Sequence, residues 1–163
     1  LDGFPITVNE EFSVIGSKIE NLKGLPFKIY DRLHISSSVS LKDTDDISKS
    51  CPQVILKAPS INLTALPSDV ETLSVKNLVD YSKIVSLGQS IDDLKIVENN
   101  IEKIKPLHFF KMENLKIVHI YSSELHLYKE QCKIINGHLN GDRDIISCQE
   151  DLINGGFKDW AKM

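Results

Sequence analysis

Six four-residue segments of this chain repeat one pattern at a nearly constant interval: Glu11-Phe12-Ser13-Val14, Arg32-Leu33-His34-Ile35, Gln53-Val54-Ile55-Leu56, Thr72-Leu73-Ser74-Val75, Asp93-Leu94-Lys95-Ile96 and Asn114-Leu115-Lys116-Ile117. Their first apolar residues stand at positions 12, 33, 54, 73, 94 and 115, an interval of 21 residues throughout except for 19 between the third and fourth. A fixed period of this length makes each unit one supersecondary piece that cannot bury its apolar residues alone. Stacked units share a continuous core, so the pattern predicts a solenoid. Such an architecture presents an extended surface rather than an enclosed pocket.

The fifth unit is the most regular. Ile91, Leu94, Ile96, Asn99, Ile101 and Ile104 satisfy the leucine-rich-repeat template LxxLxLxxNxLxxL. Period-two alternation sends Leu94 and Ile96 inward from a short strand and turns Asp93, Lys95 and Val97 outward. Asn99 falls where the chain leaves the strand, where an amide can bond turn backbone. The equivalent positions of the first four units are Ser17, Ser38, Pro59 and Leu78, whereas the core positions Ile19, Ile61 and Ile101 are kept. Gly3-Phe4-Pro5, Gly24-Leu25-Pro26 and Ala65-Leu66-Pro67 punctuate the units, and proline there favours extended or 3₁₀ turns over long helices on the convex side. After Ile120 the period fails. Residues 121–127 read as a last irregular strand, followed by a helix over 128–139 with Cys132, Ile135 and Leu139 on one face. Asn140-Gly141-Asp142 is a turn, with Asp142 or Asp144 as N-cap of a second helix whose apolar face is Cys148, Leu152, Ile153, Phe157 and Trp160. The expectation is an α/β leucine-rich-repeat solenoid of about six units with short parallel strands over 1–127, closed by a helical C-terminal cap over 128–163.

Leu1-Asp2-Gly3-Phe4-Pro5 and Leu22-Lys23-Gly24-Leu25-Pro26 follow an L-x-G-x-P start, and Cys148-Gln149-Glu150-Asp151-Leu152-Ile153-Asn154-Gly155-Gly156 precedes Trp160-Ala161-Lys162. In these features the chain resembles the short, degenerate leucine-rich-repeat proteins of tailed bacteriophages. Units three to six depart from the L-x-G-x-P start. The resemblance implies an accessory protein acting on a host target.

No Walker loop, GxGxxG, GxSxG, HExxH or paired CxxC occurs, so no catalytic or cofactor-binding constellation is expected. His34, His108, His119, His126 and His138 are spread over different units and read as surface histidines, with no metal site. Asp142-Arg143-Asp144 reads as a solvated loop and helix cap, and Cys132 and Cys148 as buried, inert thiols. Three cysteines without a framework favour a reducing compartment, hence a cytoplasmic location, and no apolar run has the length of a membrane span. The net charge of -4, with acids and bases interspersed, argues against non-specific nucleic-acid binding.

Function is therefore sought on the outward face of the strands. Glu10, Asp31, Glu71, Asp92 and Glu113 stand two residues before the strands' first apolar positions, with Pro52 as the one interruption. They form an acidic edge, either a solvated margin or part of a binding surface. Beside it run Arg32, His34, Lys57, Lys76, Lys95 and Lys116 as a basic stripe. Outward Ile15, Ile55, Val97 and Val118 either form the desolvated centre of an interface or tuck under a cap. The expected function is a non-enzymatic protein-binding module with no cofactor, no small-molecule substrate and no membrane partner. By resemblance, its target is a host enzyme or defence component, inhibited through the concave strand face. The alternatives are a structural or assembly protein of a phage particle, and a nucleic-acid binder using the lysines.

Overall fold

The computed structural model describes residues 3–122 and 126–163, so Leu1 and Asp2 of the first L-x-G-x-P sequence and the middle of the strand expected over 121–127 lie outside the described residues. The chain is a mixed α/β protein. In order it forms β1 (Thr7–Val8), β2 (Phe12–Ser17), β3 (Lys28–Ile29), β4 (Arg32–Ser37), β5 (Gln53–Ile61), β6 (Thr72–Leu78), α1 (Ser82–Leu87), β7 (Asp93–Val97), α2 (Ile101–Ile104), a 3₁₀ helix (Pro106–Lys111), β8 (Ile117–Tyr121), α3 (Lys129–Asn140) and α4 (Ile145–Asn154). Six strands make one parallel sheet in the order β2-β4-β5-β6-β7-β8, and β1 pairs with β3 in a second, two-stranded sheet.

The register follows the sequence period through five strands. Phe12, Leu33, Val54, Leu73 and Leu94 are successive partners, as are Val14, Ile35, Leu56, Val75 and Ile96. From β4 to β7 these inward side chains are no more than 1% exposed, while the residues between them are accessible. Each buried Leu, Ile or Val contributes about 1.5–3 kcal/mol, so two per strand hold the alternation in place. A slip by one residue would turn this set to solvent.

The sixth strand departs from the expected register. Leu94 pairs with Val118 and Ile96 with Ile120, so Val118 is fully buried and does not belong to the outward face. Asn114-Leu115-Lys116-Ile117 imitates Asp93-Leu94-Lys95-Ile96 in letters but not in position. Leu115 is buried in the turn before β8, its N–H bonded to the Met112 carbonyl at 3.2 Å. The cause is upstream: the 3₁₀ helix buries Leu107, Phe109 and Phe110, and this longer connection delays the strand by three residues. An odd shift inverts the pleat, so Ile117 points outward and is 40% exposed.

The side behind the strands is extended in the first three units, as the prolines predict, but carries α1, α2 and the 3₁₀ helix in the next two. Asn100 caps α2 by accepting from the Glu102 N–H, and Lys105, at φ 49, ends it immediately before Pro106. Buried polar groups on this side are paired: the Thr44 hydroxyl donates to the Ala65 carbonyl at 2.7 Å and that of Ser48 to the Pro26 carbonyl at 2.6 Å. Side-chain bonds between successive strand exits are made by Ser37, whose hydroxyl donates to the Ile19 carbonyl, and by Asn77, whose amide donates to the Ala58 carbonyl.

Helix α3 closes the β8 end of the sheet with side chains. The Ile120 N–H meets Cys132 Sγ at 3.3 Å, the Asn136 amide takes both the N–H and the carbonyl of Val118 (2.8 and 3.1 Å), and the Asn140 amide donates to the Lys116 carbonyl at 2.8 Å. Four residues of helix rise about 6 Å and two residues of strand about 6.6 Å, so every fourth helical side chain meets every second strand residue. Asp144 is the N-cap of α4, as expected for one of the two candidates, but Ile153 is 43% exposed rather than packed with Cys148 and Leu152. Arg143 is no solvated loop residue. Its guanidinium donates to the carbonyls of Leu115, Leu139, Phe110 and Met112, tying the α3–α4 turn to the connection before β8.

Candidate functional site

The alternation that buries one side of each strand leaves three outward rows across the six-stranded sheet. The first comprises Glu11, Arg32, Gln53, Thr72, Asp93 and Ile117; the second Ser13, His34, Ile55, Ser74, Lys95 and His119; the third Ile15, Ser36, Lys57, Lys76, Val97 and Tyr121. None of these residues is buried, and among the described residues no helix lies over them. The fold thus brings nine of the ten expected face residues to one side of the molecule or its margin, the exception being Val118. The polar members Ser13, Gln53, Thr72, Ser74 and Ser36 belong to the same rows. The period alone would have found them, had every outward position been read rather than only the charged and apolar ones.

The basic stripe is not continuous. Arg32 stands in the first row, His34 and Lys95 in the second, Lys57 and Lys76 in the third, and Lys116 precedes its strand. Several of these cations are committed to neighbours. Arg32 donates to Gln53 Oε1 at 3.2 and 3.3 Å and lies 3.4 Å from Glu11. The Lys95 ammonium is 3.5 Å from Asp93, and that of Lys116 is 3.4 Å from Asp92. Only Lys57 and Lys76 are direct cross-strand partners.

The acidic edge is corrected at its last member for the same reason as Val118. Backbone bonds align Pro52, Glu71, Asp92 and Lys116, so the row that opens with Glu10 and Asp31 ends in a cation, and Glu113 stands outside it. Lys116 therefore offsets part of the repulsion within the row.

Burial lowers the His34 pKa, and the Lys57 ammonium lowers it further, so the imidazole is neutral at pH 7. His34 Nε2 and Asp93 Oδ1 are both withdrawn from solvent and have no hydrogen-bond partner among the described residues. Such atoms are uncommon in folded proteins, and two of them share this face.

Elsewhere the chemistry is quiet. Burial pushes the Cys51 thiol up to about 11 and the Cys148 thiol up to about 12, and raises that of Cys132, so all three are protonated at neutral pH. His138 bridges the C-terminal helices, with Nε2 2.9 Å from Asp151 and Nδ1 3.5 Å from Asp142. Among the described residues, no three His, Cys, Asp or Glu side chains converge as metal ligands, and no helix is long and apolar enough to cross a membrane.

What fold and face define together is a mixed α/β chain whose parallel sheet leaves one side open. No protein family, curated protein or solved structure matches it.

Proposed function

We propose that the chain is a short leucine-rich-repeat solenoid acting as a non-enzymatic protein-binding module, with the open, concave sheet face as its docking surface. The observation that carries this reading is that three rows of accessible side chains cross six strands with no element of the described chain over them. Ile55 and Val97 supply half-buried apolar contact area between polar neighbours, the composition of an interface centre with a polar rim. A sheet that is already formed loses little freedom on docking. The phage-like L-x-G-x-P units and tail suggest an accessory protein of the host cytoplasm that inhibits a host enzyme or defence component. Nucleic acid fits less well, because Arg32, Lys95 and Lys116 already face carboxylates.

Affinity capture from bacterial lysate by the tagged chain, repeated with Ile55→Glu, tests the proposal. A stoichiometric protein lost in the variant, with unchanged circular dichroism, supports it; capture indifferent to Ile55→Glu removes the sheet face as the docking surface. A second reading, assembly through the N-terminal strands, is favoured by Ile15 on β2, 67% exposed, and by Ile6 just before β1, 79% exposed. Concentration-dependent self-association in light scattering is its signature.

A further inference from the structure

Lys57 and Lys76 are register partners on β5 and β6, so their strands run about 4.8 Å apart and two like charges lie side by side. Among the described residues neither has a carboxylate within 4.0 Å, unlike the other face cations Arg32, Lys95 and Lys116. Immediately beyond the pair the register of β5 against β6 shifts between Lys57 and Ile61, and Asn77 takes φ 60. This bulge opens a concavity of about 340 Å³, lined by both lysines, Ser36 and Asn77. The Asn77 amide is engaged with the Ala58 carbonyl, whereas the Ser36 hydroxyl has no hydrogen-bond partner among the described residues and Ser36 borders Lys57 across the strands.

Two lysines and a serine lining a hollow offer the donors that complement an oxyanion. An anion there would remove the cross-strand repulsion that the fold leaves standing. The surroundings narrow its source. Ile55 lies two residues before Lys57 on the same strand, and Val97 is the cross-strand partner of Lys76, so apolar surface flanks the charged pair. A carboxylate carried by a chain with an apolar residue beside it meets both features; an inorganic anion meets one.

Resting on the reading of this face as a protein-docking surface, we propose that Lys57, Lys76 and Ser36 form a subsite for the carboxylates of an acidic, apolar-flanked segment of the protein partner. The test is a titration of the full-length ¹⁵N-labelled chain, at fixed ionic strength, with an acetylated and amidated Glu-Glu-Leu-Glu-Glu peptide, and separately with inorganic phosphate. Saturable amide shifts centred on residues 36, 57 and 76 are expected with the peptide, at least five-fold weaker in Lys57→Gln/Lys76→Gln and unchanged in Lys95→Gln. Shifts that are absent, map elsewhere, or persist in the double variant overturn the subsite. Equal saturation by phosphate alone also overturns it, showing a free-anion site rather than a contact for a protein segment. Capture from lysate with Lys57→Gln/Lys76→Gln separates the two failures: a partner held by the double variant but lost in Ile55→Glu leaves the docking face standing and removes only the subsite.

Discussion

Arg143 offers the sharpest test of how the C-terminal helices are held to the sheet. Replacing it with alanine removes donors at 3.0 Å from the Leu115 carbonyl, 3.2 Å from Leu139, 3.2 Å from Phe110 and 2.7 Å from Met112. At about 1 kcal/mol net per bond, with some of these carbonyls reaching water once the side chain is gone, the loss is about 3 kcal/mol. For a chain of this size that corresponds to a fall of about 9 °C in Tm, at roughly 3 °C per kcal/mol. The backbone supplies an internal control, because Arg143 sits at φ 56. A left-handed residue with a Cβ costs about 1 kcal/mol that glycine does not, so Arg143→Gly should be about 1 kcal/mol less destabilised than Arg143→Ala. Arg143→Lys keeps the charge but not the fork that reaches four carbonyls, and should fall between wild type and alanine. Urea unfolding followed by the fluorescence of Trp160, the single tryptophan, and by far-ultraviolet circular dichroism reads all three. Trp160 packs edge-on against Tyr128 at 5.2 Å and reports on the C-terminal region. An alanine variant within about 0.5 kcal/mol of wild type, the range of an ordinary surface substitution, would refute the staple. Equal loss in the glycine and alanine variants would refute the backbone part alone.

Three further outcomes are expected. Val118→Ala should cost about 2 kcal/mol as a buried truncation while Ile117→Ala stays within about 0.5 kcal/mol, and the reverse order in urea unfolding would restore the 21-residue register for the sixth unit. Burial alone would lower the His138 pKa, but hydrogen bonds to Asp151 and Asp142 overcome it and raise it above 6.5. A pKa raised on folding stabilises fully below the unfolded value and less as pH rises through the folded one, so the urea midpoint of wild type over His138→Gln should be largest below pH 6.5 and shrink above it; a constant difference from pH 6 to pH 9 would deny the linkage. The three thiols should react with a disulfide reagent only on the timescale of unfolding, and a fast native equivalent would show that one of them is not the buried, protonated group described above.

How far the sequence could be read follows from what a period encodes. Strand positions and inward residues from Phe12 to Ile96 were legible because burial on one side forces strict alternation, and no other register hides the same side chains. The same logic failed at Leu115, where four letters matched the preceding unit but the connection before them had lengthened. Local similarity does not count the residues spent in a 3₁₀ helix. Charged residues were located on the face but not paired, since whether Lys95 meets Asp93 or stands free depends on rotamers and neighbours across strands. Arg143 and Asn136 were missed outright. A polar residue in a turn or on a helix reads as solvated unless the distant carbonyls it will meet, 18 residues away for Asn136 and up to 33 for Arg143, are known in advance.

The side chains of α3 that occupy β8 give the sheet a direction as an object that could grow. A parallel sheet adds strands wherever an edge shows unpaired N–H and C=O groups, and at β8 these are taken by Cys132, Asn136 and Asn140. At the other end β2 has no strand beyond it among the described residues. With one end terminated, copies of this chain meeting edge to edge through the six-stranded sheet can form a two-fold pair through β2 but cannot propagate along it, because each addition uses the one edge of that sheet left unpaired among the described residues. Asn136→Leu would leave the Val118 N–H and carbonyl without that amide while Cys132 and Asn140 still hold α3 across the edge, so the variant should lose stability without opening a second edge for growth.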